Sequence, residues 1–223
     1  MSEYFWLSYP LTTDTPAYGG EKGFYSDSIK RISEGDTCNT SSYRLTSHTG
    51  THVDTAKHFF DNGLTVDAFE PEFWIFNQVQ VIEVNLTKEK NIVQENAILP
   101  LVSDKTDLIL IKTGMSHTRG KKDYWEYNPG LEPELGRKLR NNYPFLRAIG
   151  VDSISISSWQ NRQLGREAHR AFLDPKYGDK FVLIEDMDLS KVHSNTEIYK
   201  VYIMPLLVQG ADGAPCNVLA QVK

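Results

Sequence analysis

Residues 47–60 read Ser47-His48-Thr49-Gly50-Thr51-His52-Val53-Asp54-Thr55-Ala56-Lys57-His58-Phe59-Phe60, and the rest of the chain is interpreted around this stretch. It holds three of the six histidines in the chain, arranged with an aspartate as H-x-x-x-H-x-D-x-x-x-H. Imidazole nitrogens and carboxylate oxygens are the ligands of catalytic zinc and manganese sites. A single histidine is more often a hydrogen-bonded surface residue, but this clustering favours a metal site.

The spacing indicates how these side chains meet. His48 and His52 would share one face of a helix, but Thr-Gly-Thr between them is a poor helix former. We therefore expect a turn that enters a strand, with His52 and Asp54 on the same side and Gly50 bending the backbone to bring His48 alongside. His58 is expected beside the metal, as a general base or acid with a pKa near neutrality.

A second pair of candidate ligands lies later in the chain. His169 falls on a helix predicted at residues 166–173, and Glu185 ends an apolar strand predicted at residues 181–185. A buried carboxylate needs a partner such as a metal ion or an arginine. A helix histidine and a strand-end glutamate are common separately, but with Asp54 as a bridge they would complete a two-metal site.

Length and composition limit the class of protein. A chain of 223 residues is most simply one domain, residues 1–223, with enough apolar residues for a full core. The net charge of −5 and the lack of a basic run exclude nucleic acid as an expected partner. The sequence has no span-length apolar run and no basic signal-peptide start, so we expect a cytoplasmic protein without a membrane partner. Cys38 and Cys216 are expected to be free thiols.

Strands and short helices alternate along the chain, with more strand than helix. Strands are predicted at residues 5–9, 41–46, 79–84, 108–112, 148–157, 181–185, 198–208 and 218–222, and helices at 92–99, 132–142 and 166–173. This pattern favours one α/β or α+β domain around a mixed sheet. The apolar residues 66–76 would either cover the site as a lid or, as we favour, pack in the core. The loop at 115–130 follows a buried strand and is a candidate functional loop.

Other catalytic arrangements find no support in the sequence. There is no G-x-S-x-G motif, neither cysteine has a neighbouring histidine, and no glycine pattern would cradle a phosphate. His117 and His193 lack acidic partners at ligand spacing and are expected to be surface or loop residues.

The run from His48 to Asp54, followed by His58-Phe59, resembles the signature of the cyclase-like metal-dependent hydrolases, a group that includes bacterial kynurenine formamidase and isatin hydrolase. Supporting likenesses lie at residues 7–16, 150–156, 169–173, 183–189 and 205–215. The sequence departs from the family pattern at Ala56, Ser157 and Asn217, and residues 174–180 look like an insertion. These departures leave the candidate ligands intact but separate the chain from a standard kynurenine formamidase.

The resemblance implies a site, a fold and an assembly. It implies that a first metal is bound by His48, His52 and Asp54, and a second by Asp54, His169 and Glu185. It also implies His58 as the catalytic histidine, with one or two zinc or manganese ions per chain. The implied fold is an α/β, swivelling β/β/α single domain with a mixed barrel-like sheet flanked by short helices, assembled as a homodimer or homotetramer.

The expected function is metal-dependent hydrolysis of a carbon–nitrogen bond in a small aromatic molecule: an amide, N-formyl or cyclic amide. The metal would lower the pKa of a bound water to about 7, and His58 would carry its proton to the leaving nitrogen. Aromatic side chains near the N-terminus and around Trp125 would stack on a flat substrate. Two alternatives stay open: a cyclase or dehydratase on the same scaffold, and a non-catalytic protein that binds a metal or small molecule.

Overall fold

A computed structural model of the chain describes residues 2–87 and 91–223. Within these ranges the strands are β1 Glu3–Trp6, β2 Phe24–Lys30, β3 Thr40–Leu45, β4 His52–Asp54, β5 Ile75–Phe76, β6 Val79–Glu83, β7 Ile92–Val93, β8 Leu108–Lys112, β9 Gly130–Leu131, β10 Ala148–Val151, β11 Val182–Glu185, β12 Ile198–Pro205 and β13 Gly213–Val222. The α-helices are α1 Glu95–Ile98, α2 Asp123–Glu126, α3 Pro133–Asn142 and α4 Arg162–Leu173. No helix in these ranges combines the length and the apolar run that a membrane crossing requires.

One mixed sheet dominates the described part of the chain. Its strands run in the order β5-β12-β13-β4-β11-β10-β8-β6, and β1 also pairs with β13. The strands β6, β8, β10 and β11 run parallel to one another, whereas β4 is antiparallel to both β11 and β13. The end strands β5 and β6 are separated by only Asn77 and Gln78, so the sheet curls into a nearly closed barrel. This confirms the expected α/β fold with a barrel-like mixed sheet.

A carboxylate and a guanidinium close the seam between the end strands. The carboxylate of Asp107 accepts hydrogen bonds from the backbone N–H groups of Asn77 and Gln78, both at 2.9 Å. The guanidinium of Arg147 lies 3.3 Å from the same carboxylate and donates to the carbonyl of Phe73 at 2.7 Å. These contacts give hydrogen-bond partners to backbone groups of the turn that would otherwise be unpaired.

The strand β8 is apolar at its first four positions, Leu108 to Ile111, because both of its faces are buried. Leu108 and Leu110 belong to the apolar cluster inside the barrel, whereas Ile109 and Ile111 belong to the cluster beneath α3 and α4. Successive strand side chains point to opposite faces, and here both faces are buried. The helices cover only the outer face, so the chain has two apolar layers separated by one sheet.

Several predicted elements differ from the structure. The predicted helix at residues 92–99 is wrong at its start, because Ile92–Val93 pairs with Gly130–Leu131 as a strand and only Glu95–Ile98 is helical. The predicted strand at 148–157 stops at Val151. The partner strand of β3 was missed because Phe24–Lys30 is mostly polar and exposed.

The apolar segment at residues 66–76 packs in the core, which is the alternative favoured from the sequence. The interior cluster includes five of its side chains, Val66, Phe69, Phe73, Trp74 and Phe76. Both cysteines are free, as expected. The expected assembly as a homodimer or homotetramer would depend on contacts between chains, and it stays a prediction.

The substitution Asp107→Ala is expected to lower the free energy of unfolding by about 2 kcal/mol, because it leaves two backbone N–H groups at the seam without their acceptor. Urea denaturation measures the change. Asp104→Ala removes a neighbouring exposed carboxylate and should change stability by less than about 0.5 kcal/mol. Equal losses in the two variants would contradict the assigned role of Asp107.

Candidate metal centre

The central strand β4 delivers the first two candidate ligands. It lies between β11 and β13, and its His52 stands opposite Glu185 of β11. Because side chains alternate, Val53 enters the apolar interior while His52 and Asp54 share the other face. Asp54 and Glu185 are only 1% and 3% exposed. The strand pairing thus brings two buried carboxylates together although they are far apart in sequence.

The turn before β4 orients His52. Gly50 has a φ of +64°, a left-handed conformation that suits glycine. Its carbonyl accepts a hydrogen bond from Nδ1 of His52 at 2.8 Å, which places the proton on that nitrogen. The other nitrogen, Nε2, lies 3.4 Å from both Asp54 Oδ1 and Glu185 Oε2. His52 therefore turns Nε2 toward the carboxylate pair, and this nitrogen would bind a metal ion after losing its proton.

His169 is held in the same way from α4. Its Nδ1 donates to the carbonyl of Gly165 at 2.9 Å. Its Nε2 lies 3.5 Å from Asp54 Oδ2 and 3.3 Å from Glu185 Oε1. Gly165 is needed for this approach, since a Cβ there would lie 2.2 Å from the hydroxyl oxygen of Ser157. The helix begins at Arg162, four residues earlier than predicted, and continues to Leu173.

The loop after β10 fixes Glu185. Its Oε1 accepts hydrogen bonds from the backbone N–H of Ile156 at 2.7 Å and from the hydroxyl of Ser155 at 3.1 Å. These contacts explain why the predicted strand at 148–157 ends early. Beyond Val151 the chain leaves the sheet and wraps around the glutamate.

An aspartate that sequence reasoning missed completes the cluster. Asp212 Oδ2 lies 2.8 Å from His48 Nε2 and 3.0 Å from His58 Nδ1. The other ring nitrogen of His48 lies 2.7 Å from Asp54 Oδ1. The carbonyl of Asp212 accepts from the backbone N–H and hydroxyl of Thr55, which ties its loop to the end of β4. The sequence feature that could have pointed to Asp212 is its carboxylate within the turn Gly210-Ala211-Asp212-Gly213.

All six residues selected from the sequence therefore meet at one place. Three overlapping sets among the described residues have possible ligand atoms within 4.8 Å of one another. These sets are His48, His52 and Asp54; Asp54, His169 and Glu185; and His48, His58 and Asp212. The first two match the predicted metal sets and share Asp54, as a bridge would. The third contains His58, so whether His58 binds a metal or only stands beside it stays a prediction.

The donor chemistry fits a divalent metal ion. Nitrogen and oxygen donors without thiolate suit zinc and manganese alike. Within residues 2–87 and 91–223, the ion pairs of Asp54 and Glu185 are with histidines and none with lysine or arginine. Two buried carboxylates held by oriented imidazoles form a site where a cation would replace protons.

The electrostatics of the cluster follow from this arrangement. Burial disfavours charge on His169, but hydrogen bonds to Asp54 and Glu185 outweigh it and raise the pKa of His169 to about 10. Burial and the neighbouring Asp54 would raise the pKa of Glu185, yet His169 and His52 hold it at about 2. Burial lowers the pKa of His58, which faces the cavity with less carboxylate contact. Burial thus favours the neutral form of His58, whereas the neighbouring carboxylates favour the protonated forms of His52 and His169.

A cavity of about 250 Å³ opens onto the cluster. Tyr18 and Phe59 form aromatic walls, and Phe59 stacks on His169 with ring centroids 4.9 Å apart. Trp125 does not line this cavity. It packs against Trp159 at 5.0 Å, and Trp159 packs against Tyr18 at 5.1 Å. Tyr18 is thus the N-terminal aromatic at the cavity, and Trp125 supports it from behind.

The loop at residues 115–130 holds the backbone beside Glu185. Asp186 has a φ of +52° and is 1% exposed. Arg119 binds its carboxylate with two hydrogen bonds, at 2.9 and 2.7 Å, and the hydroxyl of Tyr124 donates to it. The ring of Tyr9 covers the guanidinium at 3.8 Å. The candidate functional loop therefore anchors the strand end that carries Glu185, and none of its described residues lines the cavity.

Comparison with known proteins identifies the family. A family described as "Putative cyclase" matches residues 5–158. Cyclase-like protein 2 of Arabidopsis thaliana is 24% identical over 94% of this chain and 75% of its own. A kynurenine formamidase of Bacillus cereus is 28% identical over 96% of this chain and 95% of its own. The chain belongs to this cyclase family, the cyclase-like metal-dependent hydrolases.

The fold agrees with a solved structure of low sequence identity. Isatin hydrolase A from Labrenzia aggregata, bound to benzyl benzoate, superimposes with a TM-score of 0.81. The match covers 99% of this chain and 94% of that protein at 20% identity. The barrel-like sheet with few short helices is therefore the architecture of that hydrolase too.

The metal content of the protein purified without chelator is expected to be one or two zinc or manganese ions per chain. His52→Ala and His169→Ala should each lower that content, because each removes a nitrogen donor from a different set. Elemental analysis measures the metal. His193→Ala, an exposed histidine outside the cluster, serves as control. Near-zero metal in the unaltered protein, even after zinc or manganese is added, would contradict the metal centre.

Metal affinity is expected to rise with pH between about pH 6 and pH 8, since the metal displaces protons that the carboxylates hold on His169 and His52. One displaced proton corresponds to about a tenfold rise per pH unit. Competition with a fluorescent chelator measures the affinity, and calorimetry in two buffers of different ionisation enthalpy counts the protons. An affinity that stays flat over this range would exclude protonated histidines in the metal-free cluster.

Proposed function

We propose that this chain is a metal-dependent hydrolase that cleaves a carbon–nitrogen bond in a small aromatic amide, N-formyl or cyclic amide compound. The observation that carries the proposal is the position of His58. Its ring centroid lies 4.0 Å from that of His48, its Nδ1 is bound to Asp212, and it faces the cavity beside both predicted metal sets. A neutral histidine next to a metal centre, with one ring nitrogen held by a carboxylate and the other free, can act as the general base of a hydrolysis.

In this proposal His48, His52 and Asp54 hold one metal ion, and Asp54, His169 and Glu185 hold a second. The atoms that face each other support this division, since Asp54 Oδ1 faces His48 and His52 while Oδ2 faces His169. A bound ion supplies a water of lowered pKa and polarises the substrate carbonyl.

His58 moves the proton. Its Nδ1–H donates to Asp212 at 3.0 Å, so Nε2 carries the free lone pair. Burial keeps the ring neutral at pH 7, ready to accept a proton at Nε2. Asp212 then stabilises the imidazolium and keeps the ring oriented while Nε2 returns the proton to the leaving nitrogen. Asp212 also binds His48, so it orients the proposed base and a proposed ligand at once.

The cavity supports a small and flat substrate. Its volume of about 250 Å³ is near the lower end for ligand pockets, and Tyr18 and Phe59 supply aromatic surface. Neither cysteine competes as a nucleophile: Cys38 is exposed away from the cavity, and burial raises the pKa of Cys216. The relatives named kynurenine formamidase and isatin hydrolase support the same reaction class.

His58→Ala is expected to lower kcat for formanilide and isatin at least about a hundredfold while metal content stays unchanged, because general acid–base transfer contributes about that much. Hydrolysis is followed by product absorbance and metal by elemental analysis. His117→Ala, an exposed histidine, is the matched control and should retain full rate.

Two outcomes would decide against this assignment. A metal-loaded His58→Ala variant with the full hydrolytic rate would remove His58 from the proton path. A product that lacks oxygen from labelled water would favour a cyclase or dehydratase on the same scaffold, as the name of the plant relative suggests.

A further inference from the structure

Three arginines form a row on α4 beside the cavity. Arg162, Arg166 and Arg170 are spaced four residues apart, so they lie along one side of the helix. Arg162 and Arg166 precede His169 by seven and three residues, which places them on the side that carries the proposed ligand. All three side chains are exposed. We refer to these three residues as the arginine row.

The arginine row borders the mouth of the cavity through the aromatic walls. The guanidinium of Arg162 lies 3.6 Å from the ring centroid of Trp159, whose ring also packs against Tyr18 and Trp125. The guanidinium of Arg170 lies 5.5 Å from the ring centroid of Phe59. Burial raises the pKa of Tyr18, and the positive charges of Arg162 and Arg166 oppose that rise, so both charges act at the cavity wall.

The charges of the row have no carboxylate partner among the described residues. Ion pairs elsewhere on the helical layer include Arg137 with Glu134 at 2.8 Å and Lys138 with Glu95 at 2.6 Å. Arg162 also occupies the first turn of α4, which holds no acidic residue, although the positive helix end disfavours a cation there. The three arginines thus keep their positive charge without an ion pair to a described carboxylate that would neutralise it, in a chain of net charge −5.

The cavity itself has no place for an anionic group apart from the metal ligands. Its charged walls are the acidic Asp54 and Glu185 with the histidines, and no described lysine or arginine lines it. A carboxylate elsewhere on a substrate would therefore find its guanidinium partner at the mouth, where the arginine row stands.

We propose that the arginine row binds a carboxylate on the substrate, remote from the scissile bond, and so makes the enzyme select anionic over neutral aromatic amides. This inference rests on the proposed hydrolase function. Arginine suits this task because its planar guanidinium binds carboxylate with two parallel hydrogen bonds. Arg166 lies between the other two in the row and three residues before His169, so its substitution tests the middle of the row.

The test compares 2-, 3- and 4-formamidobenzoate with uncharged formanilide. In the unaltered enzyme, kcat/KM for at least one anionic isomer should exceed that for formanilide. Arg166→Gln should lower that value about tenfold and Arg162→Gln/Arg166→Gln further, with formanilide changed less than about twofold. Arg166→Lys, which keeps the charge, should restore part of the preference. Raising the salt concentration should weaken it, because exposed charges are screened.

The control is Arg137→Gln, an exposed arginine on α3, which should leave the preference unchanged. The inference is overturned if the preference for anionic substrates is absent or is equal in the unaltered enzyme and the Arg166 variants. If no formamide is hydrolysed, the proposed function fails, and calorimetric binding of the aminobenzoates against aniline then tests the row alone. Equal aminobenzoate affinity in the unaltered protein and in Arg166→Gln would overturn it there too.

Discussion

Two carboxylates buried side by side impose the main constraint on this molecule. Asp54 and Glu185 sit on neighbouring strands, nearly out of contact with water, and their like charges repel in a medium of low dielectric. Such a pair is stable only with positive charge between or around it. His48, His52 and His169 supply the protons that balance it, and a metal ion would supply the same charge at a catalytic position.

The backbone serves this constraint at several points. The carbonyls of Gly50 and Gly165 each hold the Nδ1–H of one histidine, so that Nε2 turns toward the carboxylates. The N–H of Ile156 holds Glu185. A turn, a helix and a loop around one sheet thus orient the site together.

A second layer of contacts surrounds the cluster, and different residues in it hold different parts of the site. Asp186, in a left-handed conformation and paired with Arg119, locks the strand end that carries Glu185. Asp212 locks His48 and His58 from the opposite side. The helix α4 contributes His169 to the buried centre and the arginine row to the cavity mouth, so one element serves both the proposed chemistry and the proposed selectivity.

Several secondary-structure elements could be predicted from the sequence because they depend on contacts between residues close together in the chain. The continuous apolar run from Leu108 to Ile111 predicted a buried strand, and the structure divides its side chains between two apolar clusters because strand geometry has a period of two. The prediction of a helix over residues 92–99 was partly wrong because a short apolar run does not show whether its hydrophobic period is that of a helix or of a strand.

The cluster from His48 to His58 could be predicted from the sequence, because a turn and a three-residue strand hold those side chains within eleven residues. Only the tertiary structure decided that Asp212 joins it, across sequence separations of 164 and 154 residues from His48 and His58. The same holds for the lock of Asp186 by Arg119 and for the place of the arginine row. Contacts between distant segments depend on sheet order and closure, and no local spacing encodes these.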